Sequence, residues 1–222
     1  MTVDQSALFE RRYFDEVYDD AYDQRNPSYK HRSYLREVRQ AAPAGGLLLD
    51  VGCAYGSFLR QAVADYSCVG CDVSGHAVEV ASRRLPGVRV FQSHVLALAP
   101  DHDYDVVTCF DVLEHVPELD AALAHLRTVL RPRGVLVITV PVYDTPVGRL
   151  VGLLDRDPTH VHKLSRRTWL DRMRAAGFEE IRWRGILRYY LGGPAYLHWC
   201  SASIRRFSPA ILVTGVAAEA DR

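Results

Sequence analysis

The sequence predicts an α/β protein built around a doubly wound, mostly parallel sheet. Short and nearly continuous apolar runs alternate with helical patterns from residue 47 to residue 140. Such runs are typical of parallel strands that are covered by helices on both faces. A loop of small residues follows the first run directly, at the edge where sheets of this kind bind ligands. We therefore expect a Rossmann-like fold.

The first five strands are expected at the apolar runs. These runs are LLLDV (47–51), CVGCDV (68–73), VRVFQ (88–92), YDVVTCF (104–110) and GVLVITV (134–140). The segments SFLRQAVADY, HAVEVASRRL and ELDAALAHLRTVL between them predict helices. In the last of these, one apolar stripe is formed by Leu119, Leu123, Leu126 and Leu130.

The C-terminal third predicts one more helix and two more strands. Ser165 is a suitable N-cap for the helix SRRTWLDRMRAAG, and Gly177 is a suitable residue to end it. The runs FEEIRWRGIL and PAILVTGVA follow as strands. They would bring the sheet to seven strands, of which the last is antiparallel.

We expect a single domain with four parts. Residues 1–44, rich in Tyr, Asp and Arg, would form an N-terminal helical lid, and residues 45–140 the cofactor-binding core. Residues 141–164, with three prolines, would form an insertion over the active face. Residues 165–222 would supply the C-terminal helix and the last two strands.

The composition argues against several classes of function. The 27 Lys and Arg residues balance the 27 Asp and Glu residues, so no excess charge draws the chain to nucleic acid or to a membrane surface. No apolar stretch approaches the roughly 20 residues that span a bilayer, and the acidic N-terminus does not read as a signal peptide. Five cysteines, an odd number, argue against a disulfide framework. We expect a cytoplasmic protein with buried thiols.

The segment LLLDVGCAYGSFL (47–59) is the clearest candidate ligand site. Small residues after Asp50 let the backbone approach a ligand, and the next helix offers N–H donors and a partial positive charge at its start. Asp72 ends the second strand, where its carboxylate can accept both hydroxyl hydrogens of a ribose. A dinucleotide fingerprint, G-x-G-x-x-G, does not match the spacing of Gly52 and Gly56.

This segment resembles the first motif, D-x-G-x-G-x-G, of the class I S-adenosylmethionine-dependent methyltransferases. The blocks LLLDVGCAYG, VGCDVS, YDVVTCFDVLEHV, LRPRGVLVITVP and RAAGFEEI stand in the family's order and cover roughly residues 45–185. The most similar group is that of small-molecule O- and N-methyltransferases with an EHV signature (methyltransferase types 11 and 12). The resemblance implies S-adenosylmethionine as cofactor, S-adenosylhomocysteine as product and a small-molecule acceptor, with secondary metabolism as one setting.

The resemblance also implies roles for individual residues. Asp72 would accept the ribose hydroxyls, and Val73 would pack on the adenine. Phe110 and Asp111 would line the methionine end. The loop residues that would surround the methionine and the ribose are Asp50, Gly52, Cys53, Ala54 and Gly56. Ala54 replaces the family's middle glycine, which narrows the loop without blocking it.

Two further cofactor contacts are less typical of the family. His94 stands where relatives often carry an Asp that accepts from the adenine amino group, so adenine recognition would rest on backbone groups and Val95. Arg32, from the helix before the first strand, would pair with the cofactor carboxylate. The alternative for Arg32 is a solvated side chain within RSYLREVR.

Histidines are the candidate bases for an acceptor, because their pKa suits proton transfer near neutral pH. His160 ranks first, followed by His162 and His115, and each has a purely structural alternative. Tyr143 is a further catalytic candidate that would orient the substrate, and both Tyr143 and His160 are expected to contact it. The N-terminal segment ALFERRYFDEVYDDAYD would close over the cofactor with Tyr13, Phe14, Tyr18 or Tyr22 facing in, and Tyr13 and Tyr18 would contact the substrate. Alternatively, this helix is amphipathic and solvated and packs its aromatic side chains on the domain.

A metal site was weighed at Asp111, Glu114 and His115, whose i, i+3, i+4 spacing would cluster them on a helix. This segment resembles the ubiquinone-pathway O-methyltransferases, which have been linked to a divalent metal there. Many other relatives with the EHV signature need none. We expect no metal.

Two other functions remain open from the sequence. One is a nicotinamide-dependent oxidoreductase on a similar sheet, and the other is a protein that binds S-adenosylmethionine without methylating an acceptor. The tail WRGILRYYLGGPAYLHWCSASIRRF is expected to form a pocket wall or an oligomer contact, or simply to pack on the sheet. We expect a monomer or a homodimer.

Overall fold

The computed structural model describes residues 9–18, 21–43, 45–100, 104–154, 157, 159–192 and 195–219. Within them lie eight strands: β1 Leu47–Val51, β2 Ser67–Asp72, β3 Arg89–Gln92, β4 Tyr104–Phe110, β5 Leu130–Pro141, β6 Phe178–Gly192, β7 Ala195–Ser201 and β8 Ala210–Ala217. The helices are α1 Arg11–Tyr18, α2 Tyr22–Arg25, α3 Ser28–Ala41, α4 Leu59–Ala62, α5 Gly75–Arg84, α6 Leu119–Val129, α7 Pro146–Leu154 and α8 Arg166–Ala175. Two 3₁₀ turns cover Val95–Ala97 and Leu113–His115.

The strands form one sheet in the order β3-β2-β1-β4-β5-β8-β6-β7. Strands β1 to β5 are parallel, and β8 lies antiparallel between β5 and β6. The strand order reverses between β1 and β4, which makes the carboxyl ends of these two strands the switch point of the sheet. The doubly wound fold with an antiparallel last strand is confirmed.

Helices cover both faces of the sheet because successive strand residues point to opposite sides. Leu48 packs in the cluster under α3 and α4, whereas its neighbour Leu49 packs in the cluster under α6 and α8. All four leucines of the predicted α6 stripe are buried. The last of them, Leu130, begins β5 and does not belong to the helix. Helix α4 is also shorter than the expected SFLRQAVADY.

The C-terminal third has one strand more than the sequence predicted. The helix boundaries hold: the Ser165 hydroxyl accepts the Thr168 N–H at 3.1 Å, and Gly177 adopts a φ of +85°. The predicted tail, however, forms a hairpin in which β6 pairs with β7. Along AYLHWCS, buried or half-buried side chains alternate with exposed ones, as in a strand with one covered face. The sheet therefore has eight strands and not seven.

The N-terminal helices and the segment after β5 flank the carboxyl edge of the sheet. Helices α1 to α3 precede β1, as expected for the lid, and α7 follows β5 within the predicted insertion. The division of the chain into four parts remains a prediction. No helix in the described part of the chain is long and apolar enough to cross a bilayer.

Candidate active site

A cavity opens at the carboxyl ends of β1, β2 and β4, where the strand order reverses. Most of the predicted cofactor contacts lie on its wall, namely Asp50, Gly52, Cys53, Ala54, Asp72, Val73, His94, Val95, Phe110 and Asp111. The lining is completed by Phe9, Phe14, Tyr22, Asn26, Lys30, His31, Tyr34, Val51, Ser57, Phe58, Ser93, Val112, His115 and Val116. The sequence therefore predicted the floor of the cavity better than its far walls.

The loop after β1 has the backbone that its small residues allow. Gly52 has a φ of +72°, and a Cβ atom there would lie 2.3 Å from the Cγ2 atom of Val112, so only glycine fits. Ala54 also has a positive φ, of 46°, which is strained for alanine. Gly56 has a φ of +76°, but it faces Leu85 and Ala81 instead of the cavity.

Asp72 lies at the end of β2 and is almost fully buried. Its carboxylate accepts the N–H of Ala54 at 2.8 Å and the N–H of Ser74 at 2.9 Å. Burial raises the pKa of Asp72, and these backbone N–H groups partly offset the rise. A carboxylate has about four acceptor positions, so Asp72 can still accept hydroxyl groups.

Asp50 occupies the end of β1, next to β4. Its Oδ1 atom accepts the Thr108 hydroxyl at 2.7 Å, and the side chain is 3% exposed. Burial raises the pKa of Asp50 to about 7, and the nearby Asp72 adds to the rise. Asp50 is therefore divided between its ionised and its neutral form near neutral pH.

Asp111 follows β4 with a φ of 58° and is held by an arginine that the sequence did not single out. Arg188 of β6 donates to both carboxylate oxygens, and the Thr139 hydroxyl donates to Oδ1 at 2.8 Å. This pairing lowers the pKa of Asp111 well below its usual value, although burial acts in the opposite direction. Asp111 is therefore an ionised carboxylate on the cavity wall.

Helix α3 presents a basic wall to the cavity, but not through the predicted Arg32. Arg32 is exposed and donates to the Ser28 hydroxyl at 2.8 Å, so it lies outside the lining. Lys30 and His31, two positions and one position earlier, are each 7% exposed and line the cavity. Sequence spacing alone could not decide which of three adjacent basic residues faces inward.

The two inward-facing residues of α3 form no ion pair among the described residues, although the charge of Asp111 acts on both. Lys30 donates to the Asn26 side chain at 3.1 Å, and it forms no ion pair within the part of the chain that the structure describes. Burial lowers the pKa of Lys30 to about 8, and the positive charge of Arg188 contributes. Burial also lowers the pKa of His31 well below its usual value, and both of its ring nitrogens are buried without a hydrogen-bond partner among the described residues.

Aromatic side chains from α1 and α2 close the cavity opposite the sheet. Phe14 stacks on Tyr55 with 4.7 Å between ring centroids, and the Tyr22 hydroxyl accepts the Tyr55 N–H at 3.2 Å. Phe9 lies against His115 at 5.5 Å. The side chains of Tyr13 and Tyr18 lie outside the described part of the chain, so their expected substrate contacts remain predictions.

His115 is the one of the three predicted bases that reaches the cavity wall. Its Nδ1 atom lies 3.1 Å from the carbonyl oxygen of Thr159 and 2.9 Å from the Thr159 hydroxyl oxygen. A carbonyl only accepts, so Nδ1 carries the hydrogen and Nε2 carries the lone pair. Burial and the nearby His160 lower the pKa of His115, which keeps the ring neutral at pH 7.

The other predicted catalytic and substrate residues stand behind this wall. The His160 ring lies 4.8 Å from that of His115, and His162 Nε2 lies 2.8 Å from the carbonyl oxygen of Val116. Tyr143 packs against Gly152 of α7, and its N–H donates to the carbonyl oxygen of Leu164 at 3.1 Å. None of these three residues is among the described residues that line the cavity.

A candidate metal-binding group exists, but it differs from the one weighed from the sequence. One ligand atom each from Glu114, His115 and His160 lies within 4.8 Å of the others. Asp111 is not part of this group because Arg188 and Thr139 hold its oxygens. Carboxylate and imidazole donors suit several divalent transition metals, and the expectation of a metal-free protein remains a prediction.

This fold and site define a class of protein: a doubly wound enzyme domain with an acidic residue at the carboxyl end of each of β1, β2 and β4. The family comparison agrees, because residues 20–182 match the model of the methyltransferase domain family. The chain belongs to this family. The resemblance inferred from its sequence motifs is confirmed, and the family gives no support to the nicotinamide-dependent alternative.

Individual relatives cover part of the chain. It is 32% identical over 150 residues to trans-aconitate 2-methyltransferase of Methylobacterium nodulans, covering 66% of this chain and 57% of that protein. It is 36% identical over 109 residues to a ubiquinone biosynthesis O-methyltransferase of Thiobacillus denitrificans, covering 45% of this chain and 47% of that protein. The chain therefore spans about half the length of these curated relatives.

The fold is shared with solved structures. One is a methyltransferase from Thermotoga maritima, described as S-adenosylmethionine-dependent and as a possible histamine N-methyltransferase. It has a TM-score of 0.71 and 19% identity, and the match covers 92% of this chain and 98% of that one. At this identity the likeness establishes the fold alone.

Proposed function

We propose that this protein transfers a methyl group from S-adenosylmethionine to an oxygen or nitrogen atom of a small-molecule acceptor and releases S-adenosylhomocysteine. The observation that carries the proposal is the position of Asp72. Its carboxylate stands at the end of β2, beside the Gly52 loop and on the wall of the cavity. This is where a parallel sheet recognises the ribose of a nucleoside cofactor.

The described residues fit this cofactor in charge and in hydrogen bonding. The cavity wall carries the acidic side chains of Asp50, Asp72 and Asp111, which suits a ligand with a sulfonium and an ammonium group. Ser57, at the start of the segment leading into α4, has a buried hydroxyl oxygen without a hydrogen-bond partner among the described residues. A buried polar atom of this kind gains a partner when a polar ligand binds.

Each end of the cofactor has a proposed contact. Asp72 accepts the ribose hydroxyls, and Val73, His94 and Val95 surround the adenine. At the other end, the buried ammonium of Lys30 takes the methionine carboxylate, in place of Arg32.

The cofactor supplies an activated methyl group on a sulfonium, so the protein's task is to position the reactants and exclude water. Phe58 and Phe110 pack edge to face at 4.8 Å, and Tyr34 lies 5.0 Å from Phe110. These rings give the methionine end a dry wall whose faces also favour a cation. Good alignment alone accounts for about 7–11 kcal/mol of a reaction barrier.

His115 is the proposed base for an acceptor that must lose a proton. Its ring is neutral, and Thr159 fixes the tautomer that leaves Nε2 basic. The Thr159 hydroxyl donates to Asp157 at 2.5 Å, which leaves its oxygen to accept from Nδ1. His160 supports the ring of His115 from behind, which makes it a positioning residue in this proposal.

The acceptor is proposed to be a small molecule, as the names of the relatives suggest for those proteins. One relative is named for trans-aconitate and another for ubiquinone biosynthesis, so the names do not agree on one acceptor. The 24 described lining residues combine aromatic, basic and acidic side chains, which suits a partly apolar acceptor with a polar group. A cytoplasmic monomer or homodimer remains the expectation.

The proposal is tested with a methyl-labelled donor and a panel of small acceptors that carry hydroxyl, carboxyl or amino groups. We expect label in at least one acceptor, with S-adenosylhomocysteine formed in equal amount. Calorimetric titration with the donor and with a nicotinamide dinucleotide runs in parallel. Binding of the nicotinamide alone would contradict the proposal, and donor binding without transfer to any of a broad panel would favour the non-methylating alternative.

Asp72→Ala is expected to weaken S-adenosylhomocysteine binding by about tenfold or more, because charged hydrogen bonds to the ribose are lost. Calorimetry measures the affinity. Asp120→Ala is the control, since Asp120 pairs with Arg172 on the surface, away from the cavity. Thermal denaturation shows whether each variant is folded. A folded Asp72→Ala protein with unchanged affinity would count against the assigned ribose position.

Lys30→Met is expected to weaken S-adenosylhomocysteine about tenfold and to leave 5′-methylthioadenosine, which has no carboxylate, unchanged. Because the pKa of Lys30 is lowered to about 8, its ammonium is present below that pH. The affinity of the native protein for S-adenosylhomocysteine should therefore fall as the pH rises through about 8, and the variant should lack this step. Arg32→Met is the matched control on the same helix. A larger effect from Arg32→Met would restore Arg32 as the partner of the carboxylate.

Metal dependence is tested by dialysis against a chelator before the methyl-transfer assay. We expect the rate to stay unchanged, because methyl transfer from a sulfonium does not itself need a Lewis acid. Loss of activity that added Mg²⁺ or another divalent cation restores would show the expectation to be wrong. Glu114→Gln then distinguishes the group of Glu114, His115 and His160 from a site elsewhere.

A further inference from the structure

The ion pair between Asp111 and Arg188 joins the cofactor cavity to the C-terminal hairpin. Asp111 Oδ1 accepts from Arg188 Nη2 at 2.8 Å, while Nη1 donates to Oδ2. Thr139 of β5 donates its hydroxyl to Oδ1, and the Thr139 carbonyl accepts the Asp111 N–H at 3.0 Å. These contacts hold Asp111 in a left-handed backbone conformation with a φ of 58°.

Arg188 reaches Asp111 from beyond the body of the sheet. Strand β6 pairs with β8 only from Phe178 to Ile186, and past this point it pairs with β7 alone, with Arg188 opposite His198. The hairpin therefore extends past the other strands and returns its arginine over the end of β4. The family match ends at residue 182, so Arg188 lies outside the shared part of the chain.

We infer that Arg188 is a positioning residue that orients Asp111 as an ionised carboxylate toward the α-ammonium group of the cofactor's methionine. This inference rests on the proposed function. Arg188 and Thr139 occupy three of the roughly four acceptor positions of the carboxylate, and the remaining one belongs to Oδ2. A planar guanidinium that binds both oxygens fixes the direction of that last position, which a single donor cannot do.

The ionised form of Asp111 depends on Arg188, because the other groups around it do not offset the effect of burial on its pKa. Burial raises the pKa of Asp111, and the lowering comes first from Arg188, with smaller contributions from Lys30 and Thr139. Besides Arg188, the titratable groups that interact electrostatically with Asp111 come from α3, β4, the 3₁₀ turn after β4, and β7. They are Lys30, His31, Tyr34, Cys109, Glu114, His115, Tyr196 and His198. Of these, Lys30 carries a positive charge at pH 7, because burial keeps the three histidines neutral.

Removing Arg188 should therefore change how cofactor binding depends on pH. In the native protein the pKa of Asp111 lies well below its usual value, so the carboxylate stays ionised over the working range. Without Arg188 the effect of burial dominates, and the pKa of Asp111 rises. The carboxylate of the variant then takes up a proton as the pH falls, and the ammonium loses its charged partner.

A second ion pair on the same strand provides a matched control. Arg184 of β6 donates to Glu37 of α3 at 3.1 Å, and its side chain is 30% exposed against 23% for Arg188. The Arg184 pair also ties β6 to a neighbouring element, but neither partner lines the cavity. If Arg188 acted only in folding, substitutions of Arg188 and of Arg184 would have similar effects on ligand binding.

The experiment compares the full-length native protein with Arg188→Gln, Arg188→Lys and Arg184→Gln. Calorimetry measures the affinities for S-adenosylhomocysteine and for 5′-methylthioadenosine, which lacks the amino acid part. The measurements run between about pH 5 and pH 8, because this range spans the titration of a carboxyl group with a raised pKa. Thermal denaturation reports folding. For Arg188→Gln we expect S-adenosylhomocysteine to bind about tenfold or more weakly, with a further loss toward low pH, and 5′-methylthioadenosine to bind as in the native protein. Arg188→Lys should restore the native pH profile with part of the affinity, and Arg184→Gln should change the binding of neither ligand.

Equal weakening of both ligands, or equal effects of Arg188→Gln and Arg184→Gln, would overturn the inference. So would a pH profile of Arg188→Gln that matches the native profile toward low pH. If Arg188→Gln does not fold, Arg188→Lys decides: selective loss of S-adenosylhomocysteine affinity supports the inference, and native affinity for both ligands overturns it. If the native protein itself fails to bind S-adenosylhomocysteine, the proposed function fails first.

Discussion

The site depends on one constraint: three carboxylates stand together at the carboxyl edge of the sheet, and two of them, Asp50 and Asp72, are almost fully buried. Asp50 and Asp72 lie at the ends of β1 and β2, Asp111 follows β4, and the parallel arrangement brings these strand ends to one place. Each carboxylate is stabilised by a different means. A hydroxyl of Thr108 serves Asp50, two backbone N–H groups serve Asp72, and the Arg188 guanidinium serves Asp111.

These different partners give chemically similar side chains different charges. The pKa of Asp50 rises to about 7, whereas that of Asp111 falls well below its usual value because a full positive charge pairs with it. The cavity thereby has an acidic floor with a firmly ionised group at the β4 end. Helix α3 places Lys30 and His31 within electrostatic reach of this group, and neither forms an ion pair among the described residues. An acidic floor and a basic wall together match a ligand that carries charges of both signs.

The sequence predicted those features that depend on residues close together in the chain. The strands, the Ser165 cap and the floor residues Asp50 and Asp72 follow from patterns within a few residues, and the structure has them where the sequence placed them. The choice of Lys30 over Arg32 was not predictable, because it depends on the rotation of α3 against the sheet. The pairing of Arg188 with Asp111 could not be predicted for a similar reason. Its partner Asp111 is 77 positions away in sequence, and the hairpin that carries it was read as a tail.

The same distinction indicates where acceptor specificity resides. The floor is built from the segment that the family shares, which ends at residue 182, and a shared floor suits a shared cofactor. The parts that enclose the rest of the cavity come from outside the strand ends: Phe9 and Phe14 from the N-terminal segment, and His115 with its support from the loop at Thr159. These parts meet their neighbours through ring contacts and side-chain hydrogen bonds and not through strand pairing. They can therefore change in shape and charge without disturbing the sheet, and we infer that differences in acceptor between relatives arise there.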